Sequence, residues 1–227
     1  MRAAMTSVLG IFGGTFDPIH CAHLELAREV HAALKLAAVR LIPAGDPPHR
    51  AAPVASAMHR LTMVELAIAD LPGLEVDGRE IQRHGRSYTV TTLAELRREA
   101  PARPLALIVG ADAFLGLWTW HRWRELFDLA HLVVVARPGV ALDGELPPAL
   151  AQEWSRRFRR NADTLAAEPA GAIVTQPITA HAIAASAIRA QLARGPEGIA
   201  AVRGLLPAAV LAYIDRNQLY RSRPDAP

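Results

Sequence analysis

Apolar residues occur along the chain in two patterns: short continuous runs, which predict buried strands, and runs with helical periodicity, which predict helices. Short apolar runs with the length of buried strands occur at residues 8–12, 39–43, 74–76, 105–109, 132–136 and 172–175. Segments with helical periodicity separate most of these runs. Strands that alternate with helices favour a mainly parallel sheet covered on both faces. The pattern therefore predicts an α/β fold of the doubly wound, Rossmann-like class, with further helices near the C-terminal end.

The helical segments begin and end at residues that suit helix termini. They cover residues 20–34, 56–71, 90–99, 186–194 and 207–217, and a further helix is expected around Trp154. Ser56 is suited to cap the second of these helices, and Pro72-Gly73 is suited to end it.

Glycine, histidine and charged residues collect in the loops that follow four of the predicted strands. These loops are residues 13–17, 44–50, 110–112 and 137–139. Sheets of this class bind ligands in the crevice outside the carboxyl ends of their strands. We therefore expect the four loops to converge on one site.

Composition and charge are typical of one soluble domain. The 227 residues are 51% apolar, which is enough for a substantial core, and we predict a single domain over residues 1–220 with a disordered tail at 221–227. No signal peptide or apolar stretch of about 20 residues is evident, so we expect a cytoplasmic protein without a membrane partner. The net charge of +3 does not indicate nucleic-acid binding, and the single cysteine rules out an internal disulfide. The oligomeric state stays open.

The segment between the first strand and the first helix carries the strongest chemical signal. Gly13 and Gly14 let the backbone approach a ligand, and His20 and His23 share one face of the first helical turn. Because the N–H groups and dipole of a helix N-terminus favour an anion, the combination indicates a phosphate site. A zinc site that includes Cys21 is a weaker alternative, since no second ligand pair has zinc spacing.

The sequence Gly-Gly-Thr-Phe-Asp-Pro-Ile-His at residues 13–20 resembles the nicotinate-nucleotide adenylyltransferases, a bacterial family of nucleotidyltransferases. Residues 183–189 are similar to the phosphate-binding segment of that family, with Ser186 at a helix N-terminus. The resemblance implies that His20, His23 and Arg189 are catalytic. It implies ATP binding by Gly13, Gly14, Thr15, Phe16, His20, His23, Gly110, Asp112, Ser186, Ile188 and Arg189. Helix capping is an equal alternative for Asp112.

Three further segments, at residues 43–50, at 87–92 and around Trp120, are similar to the mononucleotide site of the family. As bare patterns, two of them are a proline-rich turn at 43–50 and a helix start at 87–92 whose hydroxyl residues suit N-capping. The resemblance implies mononucleotide binding by His49, Arg50, Thr89, Trp120 and Arg137. An arginine offers a planar fork to phosphate oxygens, and a tryptophan ring suits stacking on a flat base.

The resemblance implies an enzyme that transfers AMP from ATP to nicotinate mononucleotide, giving deamido-NAD and pyrophosphate. Mg²⁺ would be held mainly by the ATP phosphates, without a protein metal site, and would offset phosphate charge together with the two histidines and the arginine. Ala22, Thr91 and Ala184 stand where the family has glycine, aspartate and serine. The alternatives are therefore a phosphopantetheine or other small-molecule nucleotidyltransferase, or a nucleotide-binding protein with impaired catalysis.

Overall fold

The structure, a computed structural model, describes residues 8–47, 52–136, 146–179 and 183–221, and within them six strands form one sheet. The strands are β1 (Leu9–Gly14), β2 (Ala38–Pro43), β3 (Leu74–Val76), β4 (Leu105–Gly110), β5 (His131–Ala136) and β6 (Ile173–Pro177). Every neighbouring pair is parallel, and the order across the sheet is β3-β2-β1-β4-β5-β6.

Helices cover both faces of this sheet. They are α1 (Cys21–Ala33), α2 (Ala57–Ile68), α3 (Arg79–Gln82), α4 (Thr89–Glu99), α5 (Ala111–Leu115), α6 (Leu126–Leu129), α7 (Pro148–Arg157), α8 (Ala185–Leu192), α9 (Pro196–Ala201) and α10 (Ala208–Arg216). Short 3₁₀ turns occupy Leu117–Thr119, Trp123–Glu125 and Ala162–Ala166.

The predicted fold class is confirmed, and the strand ends differ from the predicted ones by at most two residues. Ser56 caps α2 as expected, because its hydroxyl oxygen accepts a hydrogen bond from the backbone N–H of His59 at 3.3 Å. The sequence pattern missed α3, α5, α6 and α9. Each has six residues or fewer, which is too short for a helical period to show.

The strands turn alternate side chains into two separate hydrophobic layers. Phe12 of β1 belongs to the layer that contains residues of α1, α2, α8 and α10. Ile11, its neighbour in sequence, belongs to the layer that contains residues of α4, α6 and α7. Burial on both faces explains why the strands are nearly continuous apolar runs in the sequence.

The strand order places a switch point at the centre of the sheet. The chain proceeds outward from β1 through β2 to β3, then returns to β4 on the other side of β1 and continues outward to β6. The loops after β1 and β4 therefore lead away in opposite directions and leave a crevice between them. These strands end at Gly14 and Gly110, which belong to two of the loops that we expected to converge.

No helix in the described ranges is long and apolar enough to cross a membrane. Arg221, the last residue described, donates from Nη2 to Asp215 Oδ1 at 2.6 Å. Residues 222–227 lie outside the described part of the chain. The single-domain boundary and the tail therefore stay predictions.

Arg97 of α4 lies at the amino ends of the strands, opposite the crevice, which lies at their carboxyl ends. Its terminal nitrogens donate at 2.6–3.4 Å to the carbonyl oxygens of Ala100, Pro101, Arg103, Leu129 and Pro169. These carbonyl groups belong to the segments that precede β4, β5 and β6, so one guanidinium links the amino ends of three neighbouring strands.

Replacement of Arg97 by alanine is expected to lower the free energy of unfolding by about 3 kcal/mol, because several carbonyl oxygens lose a charged donor. Urea unfolding followed by circular dichroism measures the change. Arg98→Ala is the matched control, since Arg98 is exposed on the same helix, and its effect should stay within about 0.5 kcal/mol. Equal stability of Arg97→Ala and the wild type would show that water replaces the guanidinium.

Candidate active site

Open backbone lines the crevice after β1 and β4. A Cβ atom at Gly13 or Gly110 would meet no other atom within 4 Å. A Cβ atom at Gly14 would instead lie 2.8 Å from the ring of Phe16. Glycine at positions 13 and 110 therefore leaves room for a ligand, whereas glycine at position 14 makes room for a ring of the protein itself.

Phe16 is buried and packs against β1 and against α1, the helix that follows it. Its ring centroid lies 5.6 Å from that of Phe12 and 5.1 Å from that of His23, in an edge-to-face arrangement with each. The side chain is therefore part of the core and supports His23. Any contact of Phe16 with a nucleotide would have to come from its backbone.

His20 and His23 stand together at the start of α1, as the sequence predicted. Their ring centroids are 3.7 Å apart and their planes differ by 20°, so the two imidazoles stack. The backbone N–H of His20 donates to Nδ1 of His23 at 3.3 Å. The proton of a neutral His23 ring therefore lies on Nε2.

His20 is buried, with 4% of its surface exposed, and its Nδ1 has no hydrogen-bond partner among the described residues. Burial lowers the pKa of His20 to about 4. The ring is therefore neutral at pH 7. A neutral His20 offers hydrogen bonds without a charge, and its role in catalysis stays a prediction.

Asp17, between the glycine turn and α1, is a buried carboxylate with 5% of its surface exposed. Its Oδ2 accepts from the backbone N–H of Val54 at 2.8 Å, and its Oδ1 accepts from that of Ala55 at 3.1 Å. The hydroxyl of Tyr220 also donates to Oδ1, at 2.7 Å. Three neutral donors from distant parts of the chain thus hold this loop.

Two arginines surround the same loop. Arg60 of α2 is 1% exposed and donates to the carbonyl oxygens of Thr15 at 2.7 Å and Gly45 at 3.1 Å. Burial lowers the pKa of Arg60, although the nearby charge of Asp17 opposes this effect. Arg189 of α8 donates from Nη1 to the carbonyl oxygen of Asp17 at 2.7 Å. The sequence predicted that residues 189 and 13–17 would share a site, and this hydrogen bond places them in contact.

The start of α8 carries the predicted residues Ser186 and Ile188. Its N-cap is Ala184, which has no side-chain oxygen, and Ser186 lies exposed in the first turn without a capping hydrogen bond. Ile188 is buried in the layer under α1, so its side chain is part of the core and any contact with ATP would come from its backbone. Arg189 extends from this helix to the crevice loop.

The second half of the candidate site lies between the start of α4 and the turn after α5. Thr89 is the first residue of α4, and Trp120 ends the 3₁₀ turn, half-buried against the core. The rings of their neighbours Tyr88 and His121 contact each other, with centroids 4.3 Å apart. The structure therefore brings the Thr89 and Trp120 segments together.

The loop after β2 is held beside the start of α4. The hydroxyl oxygen of Ser87 accepts from the backbone N–H groups of Gly45 at 2.9 Å and Asp46 at 3.2 Å. A Cβ atom at Gly45 would lie 2.3 Å from the carbonyl oxygen of Glu80, so only glycine fits there. The expected mononucleotide residues of this loop, His49 and Arg50, lie outside the described residues, as does Arg137 after β5.

Known proteins resemble this chain over nearly its whole length. The cytidylyltransferase-like family model matches residues 11–191. A Dechloromonas aromatica protein named probable nicotinate-nucleotide adenylyltransferase is 50% identical, over 96% of this chain and 100% of its own length. An Acidithiobacillus ferrooxidans protein of the same name is 47% identical, over 98% of this chain and 100% of its own length. The chain belongs to the nicotinate-nucleotide adenylyltransferase family.

Membership in this family confirms the resemblance that residues 13–20 and 183–189 indicated. A solved structure has the same fold: the nicotinic acid mononucleotide adenylyltransferase of Plasmodium falciparum, complexed with NaAD, matches with a TM-score of 0.67. The match covers 94% of this chain and 97% of that chain at 16% identity, and at that identity it bears on the fold alone.

Sequence reasoning missed three residues of the crevice in this family member, namely Asp17, Arg60 and Tyr220. A signal for Arg60 was present, because it lies on the same helical face as the buried residues Met63 and Val64. A charged residue in an apolar stripe indicates a buried hydrogen-bonded group. No comparable local signal links Asp17 to Tyr220, which is 203 residues away.

The described residues contain no group of three or more histidine, cysteine, aspartate or glutamate side chains that could hold a metal ion. Burial and the charge of Glu25 raise the pKa of Cys21, so its thiol stays protonated at neutral pH. The zinc alternative at His20, Cys21 and His23 therefore finds no further ligand in these ranges. Asp112 is exposed in the first turn of α5, whose N-cap is Gly110.

The buried His20 makes stability sensitive to acid. Its pKa is about 4 in the folded state and 6.5 ordinarily, so the unfolded chain takes up this proton first as the pH falls. The folded state loses stability from pH 6.5 downward, and the loss approaches about 3 kcal/mol near pH 4. In His20→Asn this loss is absent, so the free energy of unfolding should fall less steeply over that range.

Urea unfolding at a series of pH values between 6.5 and 4 measures this difference. His84→Asn is the control, because His84 is exposed and its replacement should leave the slope of the wild type unchanged. Parallel curves for His20→Asn and the wild type would show that His20 is solvated in the folded protein.

Proposed function

We propose that the protein transfers the AMP group of ATP to nicotinate mononucleotide, forming deamido-NAD and releasing pyrophosphate. The observation that carries this proposal is the stacked His20–His23 pair at the start of α1, next to the open backbone of Gly13 at the switch point. The names of the sequence relatives support the choice of substrates.

The proposed reaction requires no protein nucleophile. A phosphate oxygen of the mononucleotide forms a bond to the α-phosphorus of ATP, and the bond from that phosphorus to the oxygen that bridges to the β-phosphate breaks. The electron pair of the broken bond leaves with pyrophosphate. Since the attacking oxygen is already ionised, the protein has to position two anions and stabilise the charge that develops.

Three side chains are proposed to stabilise that charge. His23 donates a hydrogen bond from Nε2, and its ring is preorganised by the stack and by the N–H of His20. His20 acts as a neutral hydrogen-bonding group, because its pKa is about 4. Arg189 supplies positive charge, and its guanidinium is anchored by one nitrogen on the carbonyl oxygen of Asp17.

Mg²⁺ is proposed to bind together with the ATP phosphates. The carboxylate that follows the glycine turn, Asp17, already accepts three hydrogen bonds, and the described ranges hold no cluster of metal-ligand side chains. Mg²⁺ keeps several of its waters and takes few protein ligands, so these residues fit an ion held mainly by phosphates. When bound, it would neutralise part of the phosphate charge.

The mononucleotide is proposed to lie between the start of α4 and the turn at Trp120. The Trp120 ring stacks on the pyridine ring, and Thr89 with neighbouring backbone N–H groups donates to the nicotinate carboxylate. The contact between Tyr88 and His121 supports this placement, because it fixes the two segments relative to each other. His49, Arg50 and Arg137 are proposed to bind the phosphate on the basis of the family resemblance.

A nucleotide-binding protein with impaired catalysis is the second candidate. The observation that favours it is the start of α8, where Ala184 supplies no hydroxyl for a phosphate. Incubation with ATP and nicotinate mononucleotide distinguishes the two candidates, because a binding protein releases no pyrophosphate. Phosphopantetheine in place of the mononucleotide tests the remaining alternative.

His23→Ala is expected to lower kcat for pyrophosphate release by about 100-fold, because a preorganised donor to the developing charge is lost. A coupled pyrophosphate assay with ATP and nicotinate mononucleotide measures it. His84→Ala is the control, since His84 is exposed and lies outside the crevice segments. Turnover near the wild-type rate in folded His23→Ala would remove His23 from the mechanism.

Nicotinate mononucleotide is expected to be preferred over its amide by roughly 10- to 100-fold in kcat/KM, because an amide NH₂ would meet an N–H donor and leave both unpaired. Trp120→Ala should raise KM for both substrates by a similar factor, since stacking does not depend on the acid group. Trp118→Ala is the matched control, because Trp118 is 50% exposed two residues away. Equal kcat/KM for the acid and the amide would refute this arrangement of the pocket.

A further inference from the structure

Tyr220 brings the C-terminal part of the described chain to the crevice loop. It follows α10 with a φ of 62°, and its ring is buried in the layer that also contains Phe16. Its hydroxyl donates to Asp17 Oδ1 at 2.7 Å. The hydrogen bond links two residues that are 203 positions apart, and the helix that precedes Tyr220, α10, packs against α2.

Arg189 lies next to the carboxylate of Asp17 without a hydrogen bond to it. Nη1 of Arg189 lies 3.9 Å from Oδ2, beyond hydrogen-bond distance, while the same nitrogen donates to the Asp17 carbonyl oxygen at 2.7 Å. The carboxylate of Asp17 is therefore hydrogen bonded by three neutral donors, and the guanidinium of Arg189 makes no hydrogen bond to it. Arg189 keeps 31% of its side chain exposed.

Arg189 is also the cation that is able to move if a donor is lost. Arg60, the other arginine beside Asp17, is fully buried and holds the carbonyl oxygens of Thr15, Gly45 and Ala55. Burial raises the pKa of Tyr220, so its hydroxyl stays a donor throughout the physiological range. Loss of the Tyr220 donor would leave Oδ1 with one donor fewer, and the carboxylate would then attract the partly exposed Arg189 guanidinium, which already lies 3.9 Å from Oδ2.

We infer that Tyr220 is a positioning residue for Arg189: by occupying the Asp17 carboxylate, its hydroxyl keeps the Arg189 guanidinium away from that carboxylate and available to the ATP phosphates. This inference rests on the proposed function, because it takes ATP as the ligand of Arg189. It assigns a role in substrate binding to a residue outside the motif segments.

Tyr220→Phe tests the inference, because it removes the hydroxyl and keeps the ring. The affinity for ATP, measured by calorimetry in Mg²⁺ buffer, should fall by about 10-fold, the effect of a hydrogen bond to a charged group. KM for ATP should rise by the same factor, while KM for the mononucleotide stays unchanged. Tyr213→Phe is the matched control, since Tyr213 in α10 shares its hydroxyl with His59 Nδ1 at 2.8 Å, away from Asp17.

A double-mutant cycle separates positioning from a purely structural role. In an Arg189→Ala background, Tyr220→Phe should change the affinity for ATP by less than about twofold, because its effect acts through Arg189. A structural role would instead reduce the affinity equally in both backgrounds. Unchanged affinity in Tyr220→Phe, or an equal loss in both backgrounds, overturns the inference.

Failure of the proposed function gives a different result. Wild-type protein that binds ATP but releases no pyrophosphate refutes the transfer reaction, and the calorimetric cycle still decides the role of Tyr220. If Tyr220→Phe does not fold, Tyr220 is a requirement for folding and the positioning role is withdrawn.

Discussion

The buried carboxylate of Asp17 is the constraint on which the crevice depends. An ion with so little exposure is stable only when its oxygens are hydrogen bonded, and its donors come from the loop before α2 and from the residue that follows α10 by four positions. The loop between β1 and α1 is therefore fixed by polar groups from distant segments. Arg60 completes this arrangement from the other side, because it holds the carbonyl oxygens of Thr15 and Gly45.

The electrostatic character of the crevice follows from this burial. One of its two histidines is neutral, and Arg189, which is anchored by a backbone carbonyl, is the more exposed of the two arginines beside Asp17. Fixed neutral donors stabilise charge that develops during a reaction without having to reorganise. A cluster of buried cations would repel one another whenever no anion was bound. The arrangement suits a site that is filled only part of the time.

Much of this fold could be predicted from local pattern, because the apolar runs and helix stops determine where strands and helices lie. The crevice could be predicted in outline too, since Gly13 and His20 follow a strand and begin a helix. The rotation of α8 could not be predicted to this precision: Ser186 is exposed and Ile188 is buried, and their part in ATP binding stays a prediction. The pairing of Asp17 with Tyr220 could not be predicted, because it depends on the tertiary packing of α10.

The same pairing has a consequence for the order of folding. Contacts between distant parts of a chain form late, because closing a long loop costs entropy that only the completed packing returns. Until Tyr220 is in place, Asp17 lacks one of its three donors, so the hydrogen bonds of the crevice loop are complete only in a chain that includes the segment after α10.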